Sequence, residues 1–211
     1  SSILLTIRIP ACSRTQFLNT ATLTGTAPDG TPVTDISNNG ITPNPANDDG
    51  TPVNTSNNST LHPSISGLAK RLVNTVNNAD GSTNATFEFN LENFGLVNLI
   101  NVQVTDNLAA VFSPCGTPTV VSLTSDDFIV NSNFTGTGAN TGLLAANSVL
   151  IAGNKGAILL TIRIPACTTT TFNNTATLTG TDPAGLPFTD TSVNGSDPDP
   201  DGDNDPVNNT G

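Results

Sequence analysis

The chain has 211 residues, of which 35% are hydrophobic and only 11% charged, and six Lys and Arg stand against seventeen Asp and Glu for a formal net charge of −11. With no basic run to neutralise phosphates, nucleic acid is excluded as a natural partner, and no apolar stretch approaches the roughly 18 residues of a membrane span, so direct membrane insertion is excluded too. One His, three Cys and no Trp or Tyr leave little catalytic equipment, while eighteen Gly, fifteen Pro and abundant Thr and Asn suit a turn-rich, extracellular all-β protein. There is no Met, which implies a segment or a processed product.

The first predicted element, ILLTIRIPACSRTQFLNTATLTGTAPDGTPVTD from Ile3, returns as ILLTIRIPACTTTTFNNTATLTGTDPAGLPFTD from Ile158. At this offset of 155, about 30 of roughly 43 aligned positions are identical, so the chain reads as a window onto a tandem array. Residues 1–40 then supply the C-terminal strands of a preceding or partner sandwich, and 41–60, nearly all Asn, Pro, Asp, Gly, Thr and Ser, read as a linker. Residues 61–195 form one domain-sized unit. Inside it a strand is expected near 68–76. Ala85, Phe87, Phe89 and Leu91 alternate with polar residues, as do Ile100, Val102 and Val104, each set marking a half-buried strand. Further strands are expected over 119–130 and 148–152. In the repeated segment Ile158, Leu160, Ile162 and Ile164 share one face, then Phe172, Asn174, Ala176 and Leu178 share another, and a last strand is expected over 187–193. Turn signals at Asp80-Gly81, Asn93-Phe94-Gly95 and Pro183-Ala184-Gly185 punctuate the runs, and no window carries a sustained helical stripe.

Two stretches carry a family resemblance: GLAKRLVNTVNNADGSTNATFEFNLENFGLVNLINVQVTDNLAAVF from Gly67 and NTATLTGTDPAG from Asn174. They resemble the conserved-repeat family of bacterial surface proteins known as domain of unknown function eleven. Its pattern is an opening strand, an ENxG turn, an NVxVTDxL strand, a strand of the LTIRI kind and a closing NTATxTG strand. The resemblance implies an immunoglobulin-like β-sandwich in a tandem array, placed outside a bacterial cell as spacer or adhesive module.

Cys12 and Cys167 are equivalent at the offset of 155, whereas Cys115 has no second copy. One bridge per unit follows, Cys115 to Cys167, with three buried free thiols as the alternative and a metal or redox role disfavoured by the lack of CxxC and of a nearby His. The densest chemical constellation is the segment 196–211, in which Asp197, Asp199, Asp201, Asp203 and Asp205 recur at every second residue. Their mutual repulsion would be relieved by a hard divalent cation, and Gly202 after D-x-D-x-D permits the bend a calcium loop needs. Asn208 stands where an EF-hand has its bidentate Glu, so the likeness is to the DxDxDGDxD linkers of calcium-bound extracellular repeats; the alternative is a solvated, Pro-stiffened linker with no ion. The preceding linker is poorer, with Asn44 and Ala46 at the equivalents of Asp199 and Asp201.

His62, Asp126, Asp127 and Asp182 are left unassigned, since isolated surface side chains of these types outnumber sites. The Asn-x-Ser/Thr triplets at Asn54, Asn57, Asn58, Asn84, Asn133, Asn173, Asn194 and Asn208 follow from composition, although exposed Thr could carry O-linked glycans. The expected function is a non-enzymatic structural subunit of a cell-surface stalk, fibre or filament with calcium-stiffened joints, whose partners are neighbouring repeats or subunits of the same protein. The alternative is an adhesin recognising glycan or host protein.

Overall fold

The computed structural model describes residues 2–8, 17–37, 59–61, 65–169, 171–202 and 204–209. Cys12, His62, Asp203 and all of the 41–60 linker but its last two residues lie outside the described residues. The chain divides into two compact units, Arg14–Pro63 and a larger one of Ser1–Ser13 with Ser64–Gly211.

In the smaller unit β1 (Phe17–Asn19) pairs antiparallel with β4 (Ser59–Leu61), Phe17 opposite Leu61. Between them β2 (Thr22–Thr26) and β3 (Pro32–Ile36) form a hairpin, Thr22 opposite Ile36 and Thr26 opposite Pro32. The turn is closed by the Gly30 N–H donating to the Ala27 carbonyl, and the Thr31 N–H donates to Asp29 Oδ1 at 2.9 Å.

The larger unit holds β5 (Ser66–Asn77), β6 (Thr83–Asn93), β7 (Ile100–Thr105), the single-turn helix α1 (Leu108–Phe112), β8 (Thr119–Thr124), β9 (Lys155–Ile164), β10 (Thr177–Thr181), β11 (Pro187–Thr191) and β12 (Val193–Asn194). One sheet runs β12-β5-β6-β9-β8 and the other β11-β10-β7. Among the described residues the fold is thus mostly β-sheet with one short α-helix, all-β as the composition indicates.

Period two explains why these runs become strands. In β6 and β9 every second residue is buried, and across the ladder Phe89 stands opposite Ile158, Phe87 opposite Leu160 and Ala85 opposite Ile162. From the other sheet Val102, Val104 and Leu178 enter the same core, so the two sheets share one apolar interior in a sandwich-like layering. Each fully buried Leu, Ile or Phe contributes about 1.5–3 kcal/mol relative to exposure.

Several boundaries differ from the sequence pattern. The strand expected over 119–130 stops at Thr124, because the Ser125 hydroxyl accepts from the Asp127 and Phe128 N–H groups and donates to the Ala157 carbonyl, turning the chain. Residues 148–152 form no strand. Leu150 exchanges two backbone hydrogen bonds with Leu99, and the preceding Asn147 takes a left-handed φ of 61° that breaks the extended run. The expected 187–193 strand splits at Ser192, whose N–H still donates to the Ala176 carbonyl beside β10 while Val193 already lies opposite Ala69 of β5, so the chain changes sheets there. Phe172 and Asn174 are half-buried and Ala176 buried, but the strand begins only at Thr177. The helix was not expected; the Asn107 side chain caps it by accepting the Ala110 N–H at 3.1 Å, and Leu108 and Phe112, four apart, bury one face.

Candidate functional site

The acidic segment is folded against β5. Pro198, Asp199 and Pro206 are buried, and a Cβ placed on Gly67 would lie 2.6 Å from the Pro206 Cβ and 2.8 Å from that of Pro198, so only glycine admits so close an approach. The Asn90 amide donates to the Ser196 carbonyl at 3.0 Å. Asp199, 6% exposed, is the hub: its Oδ2 accepts the Asn204 N–H at 2.8 Å, its Oδ1 the Asn209 amide at 3.3 Å, and its carbonyl the Gly202 N–H at 3.1 Å, while its own N–H donates to Asp197 Oδ1. Gly202 makes the bend with φ +72°. Asp197 and Asp201 are exposed and Asp205 half-buried, and Asp203 lies outside the described residues. Among the described residues no three His, Cys, Asp or Glu side chains gather as a metal ligand set. Asp199 gives one oxygen to the Asn204 N–H and the other to the Asn209 amide, so in this arrangement it serves as the hydrogen-bonded centre of the bend.

Cys115 and Cys167 are joined by a disulfide with their Cα atoms 4.9 Å apart. Cys115 closes the turn after α1 and Cys167 follows β9, so the bridge ties the connection leaving β7 to the end of the central sheet. Beside it the Phe112 and Phe172 rings pack with centroids 4.9 Å apart. Asp127 and Asp182, unassigned from sequence, hold loops: Asp127 Oδ2 accepts the Ala157 N–H, and Asp182 Oδ1 accepts the Ala184 and Leu186 N–H groups in the β10–β11 turn.

Sequence reasoning missed a polar cluster in the core. Lys70 of β5 donates from Nζ to Asp106 Oδ2 at 2.7 Å, and the Asn174 amide donates to the same oxygen at 3.3 Å. The Lys70 and Asp106 side chains are 3% and 0% exposed. The rings of Phe87 and Phe89 wall the ammonium, each centroid 5.0 Å from Nζ. Asp106 Oδ1 and Asn174 Oδ1 are buried without a hydrogen-bond partner. Burial pushes the Lys70 ammonium down in pKa against the opposing pull of Asp106, and it pushes the Asp106 carboxyl up against the pull of Lys70 and Asn174. The available signal was a lysine at a strand position between Leu68 and Leu72 in one of only two Lys-containing stretches of the chain. Nearby, burial raises Asp190 to about 6 although the Leu68 and Thr191 N–H groups donate to it.

No protein-family profile matches the chain, and no curated protein sequence does. Among solved structures, an inactive mutant of the GH20 exo-β-N-acetylglucosaminidase from Vibrio harveyi aligns over 62% of this chain at 12% identity and a TM-score of 0.37. The aligned part is 18% of that chain, and a match of this depth transfers neither fold type nor activity. Among the described residues no helix is long and apolar enough to cross a membrane.

Proposed function

We propose that this chain is part of a non-enzymatic structural subunit of a bacterial extracellular stalk or fibre, built from tandem immunoglobulin-like sandwiches whose open strands are covered by neighbouring copies of the repeat. What supports this reading is one comparison within the chain. The β2–β3 hairpin and the β10–β11 hairpin, 155 residues apart, have the same register pair for pair, from Thr22 opposite Ile36 and Thr177 opposite Thr191 onward. Their surroundings are opposite. Leu178 is fully buried while its equivalent Leu23 is 68% exposed, and Ile158 and Leu160 are fully buried while Ile3 and Leu5 are 98% and 76% exposed. Identical side chains that make a core in one copy lie open in the other, and an apolar face of that kind is matched by strands like β6 and β7 of another repeat or subunit.

The disulfide, which fits an oxidising compartment, and the likeness of the ENxG, NVxVTDxL and NTATxTG stretches to bacterial surface repeats support the extracellular placement. Calcium at Asp197, Asp199, Asp201, Asp203 and Asp205 is the part of the proposal that rests on spacing alone. Titration of calcium chloride into the chain tests it separately: a saturable heat with a rise in melting temperature supports an ion-stiffened joint, and no heat removes it. The stalk itself is tested by the mass and negative-stain images of the native assembly. Rods with a regular axial repeat are expected; isolated globular particles would overturn the reading, and glycan-array signal from a single repeat would favour an adhesin.

A further inference from the structure

We propose that Lys70, Asp106 and Asn174 form a self-modifying site in which Lys70 Nζ becomes joined to the side-chain carbonyl carbon of Asn174 as an amide, with release of ammonia. The proposal stands apart from the stalk reading.

Three observations carry it. Nucleophile and acceptor converge on one atom: Lys70 Nζ and Asn174 Nδ2 both lie within 3.3 Å of Asp106 Oδ2. The ion pair is desolvated, with Lys70 and Asp106 almost wholly buried and two phenylalanine rings on the amine. The cluster is also unsatisfied as an ion pair, since Asp106 Oδ1 and Asn174 Oδ1 are buried without partners. A buried ion pair is tolerated where its remaining lone pairs are satisfied, and this one leaves a carboxylate oxygen bare. Transfer of one proton from Lys70 to Asp106 removes both charges from the interior, the state that burial already favours for each group. A half-turn of the Asn174 amide, whose oxygen and nitrogen are interchangeable in shape, then lets the protonated Asp106 donate to Asn174 Oδ1 and polarise its carbonyl.

The step balances without any co-reactant. The neutral Lys70 amine attacks Cγ of Asn174, forming the Nζ–Cγ bond; the carbonyl pair moves to Oδ1, which Asp106 stabilises by its hydrogen bond. Asp106 passes a proton from Nζ to Nδ2, the Cγ–Nδ2 bond breaks, the carbonyl reforms, and the nitrogen leaves as ammonia. Lys70 and Asn174 line a common groove with Phe112 and Phe172, which gives ammonia an exit. The product is a covalent tie between β5 of one sheet and the irregular segment leading into β10 of the other, at residues 104 apart in sequence. The duplicated segment keeps the acceptor, with Asn19 at the equivalent of Asn174.

The test is the mass of the reduced, denatured 211-residue chain. It is expected to fall below the sequence mass by one ammonia, about 17 Da, with a tryptic species linking the Lys70 and Asn174 peptides. Lys70→Met and Asn174→Ala are expected at full mass, and Asp106→Ala at full mass in the fraction that folds by circular dichroism. A folded wild-type chain at its full sequence mass overturns the proposal and needs no variant. Ammonia loss that persists in Lys70→Met would place the loss at a backbone succinimide, and loss of water with Lys70 joined to Asp106 would give the bond to the wrong acceptor; either result overturns it.

Discussion

Replacing Leu160 by alanine and, separately, Leu5 by alanine perturbs the same residue in the same ten-residue sequence, ILLTIRIPAC. Leu160 is fully buried in β9, opposite Phe87 of β6 on one side and Leu123 of β8 on the other. Its truncation removes the transfer energy of the lost methyl groups and leaves a cavity between two ladders that cannot collapse, about 2–5 kcal/mol. Leu5 is 76% exposed, so its truncation is expected to change stability by less than about 0.5 kcal/mol. The chain has neither Trp nor Tyr, so urea unfolding is followed by far-ultraviolet circular dichroism. A midpoint shift confined to Leu160→Ala at unchanged slope is expected. Equal destabilisation by both would refute the reasoning, because residues 3–8 would then already be packed on a core within this chain.

The raised carboxyl of Asp190 predicts a pH dependence of defined sign. The folded chain binds that proton more tightly than the unfolded chain, so this group stabilises at low pH and its contribution is lost as pH rises from about 4 through about 6; between pH 5 and 7 the loss is about 1 kcal/mol. The difference should vanish in Asp190→Asn, measured as unfolding free energy against pH, and identical slopes for the two chains would count against it. Reducing the Cys115–Cys167 bridge, with its sequence separation of 52, is expected to remove about 4 kcal/mol on the chain-entropy model, read as the urea midpoint with and without reductant. Gly67→Ala sets a methyl against Pro198 and Pro206 and is expected to cost about 1–3 kcal/mol and to open residues 198–206 to amide exchange; unchanged exchange there would mean the segment does not rest on β5.

The legible parts of the fold are those in which one face of a strand is wet. β6, β7 and β9 alternate cleanly because their outward side chains, such as Thr86, Gln103 and Thr161, remain half-exposed. β5 is harder to read, since residues 66–70 are buried on both faces, one against the core and the other beneath the C-terminal prolines. The irregular stretch between β8 and β9 is held by contacts no local pattern encodes, above all Gln103, which accepts the Leu144 N–H and donates to the Leu144 carbonyl. At the sites, the repeat singled out Cys115 and Cys167, and the spacing of the aspartates pointed to a bend at Gly202, but not to Asp199 as its hydrogen-bonded centre. The Lys70–Asp106–Asn174 cluster was invisible for a simple reason. Lys70 sits on β5, Asp106 just after β7 and Asn174 ahead of β10, each an ordinary polar residue in its own run, and only the packing of the two sheets brings them together.

Amide hydrogen exchange at residues 3–8 probes the proposed architecture most directly, compared between the 211-residue chain and a longer one in which a copy of residues 61–155 precedes Ser1. The tandem-sandwich account predicts rapid exchange in the first and, in the second, protection rising to the level of residues 158–164, with Leu5→Ala becoming as costly as Leu160→Ala. Exchange at residues 3–8 that stays equally fast in both chains would contradict it.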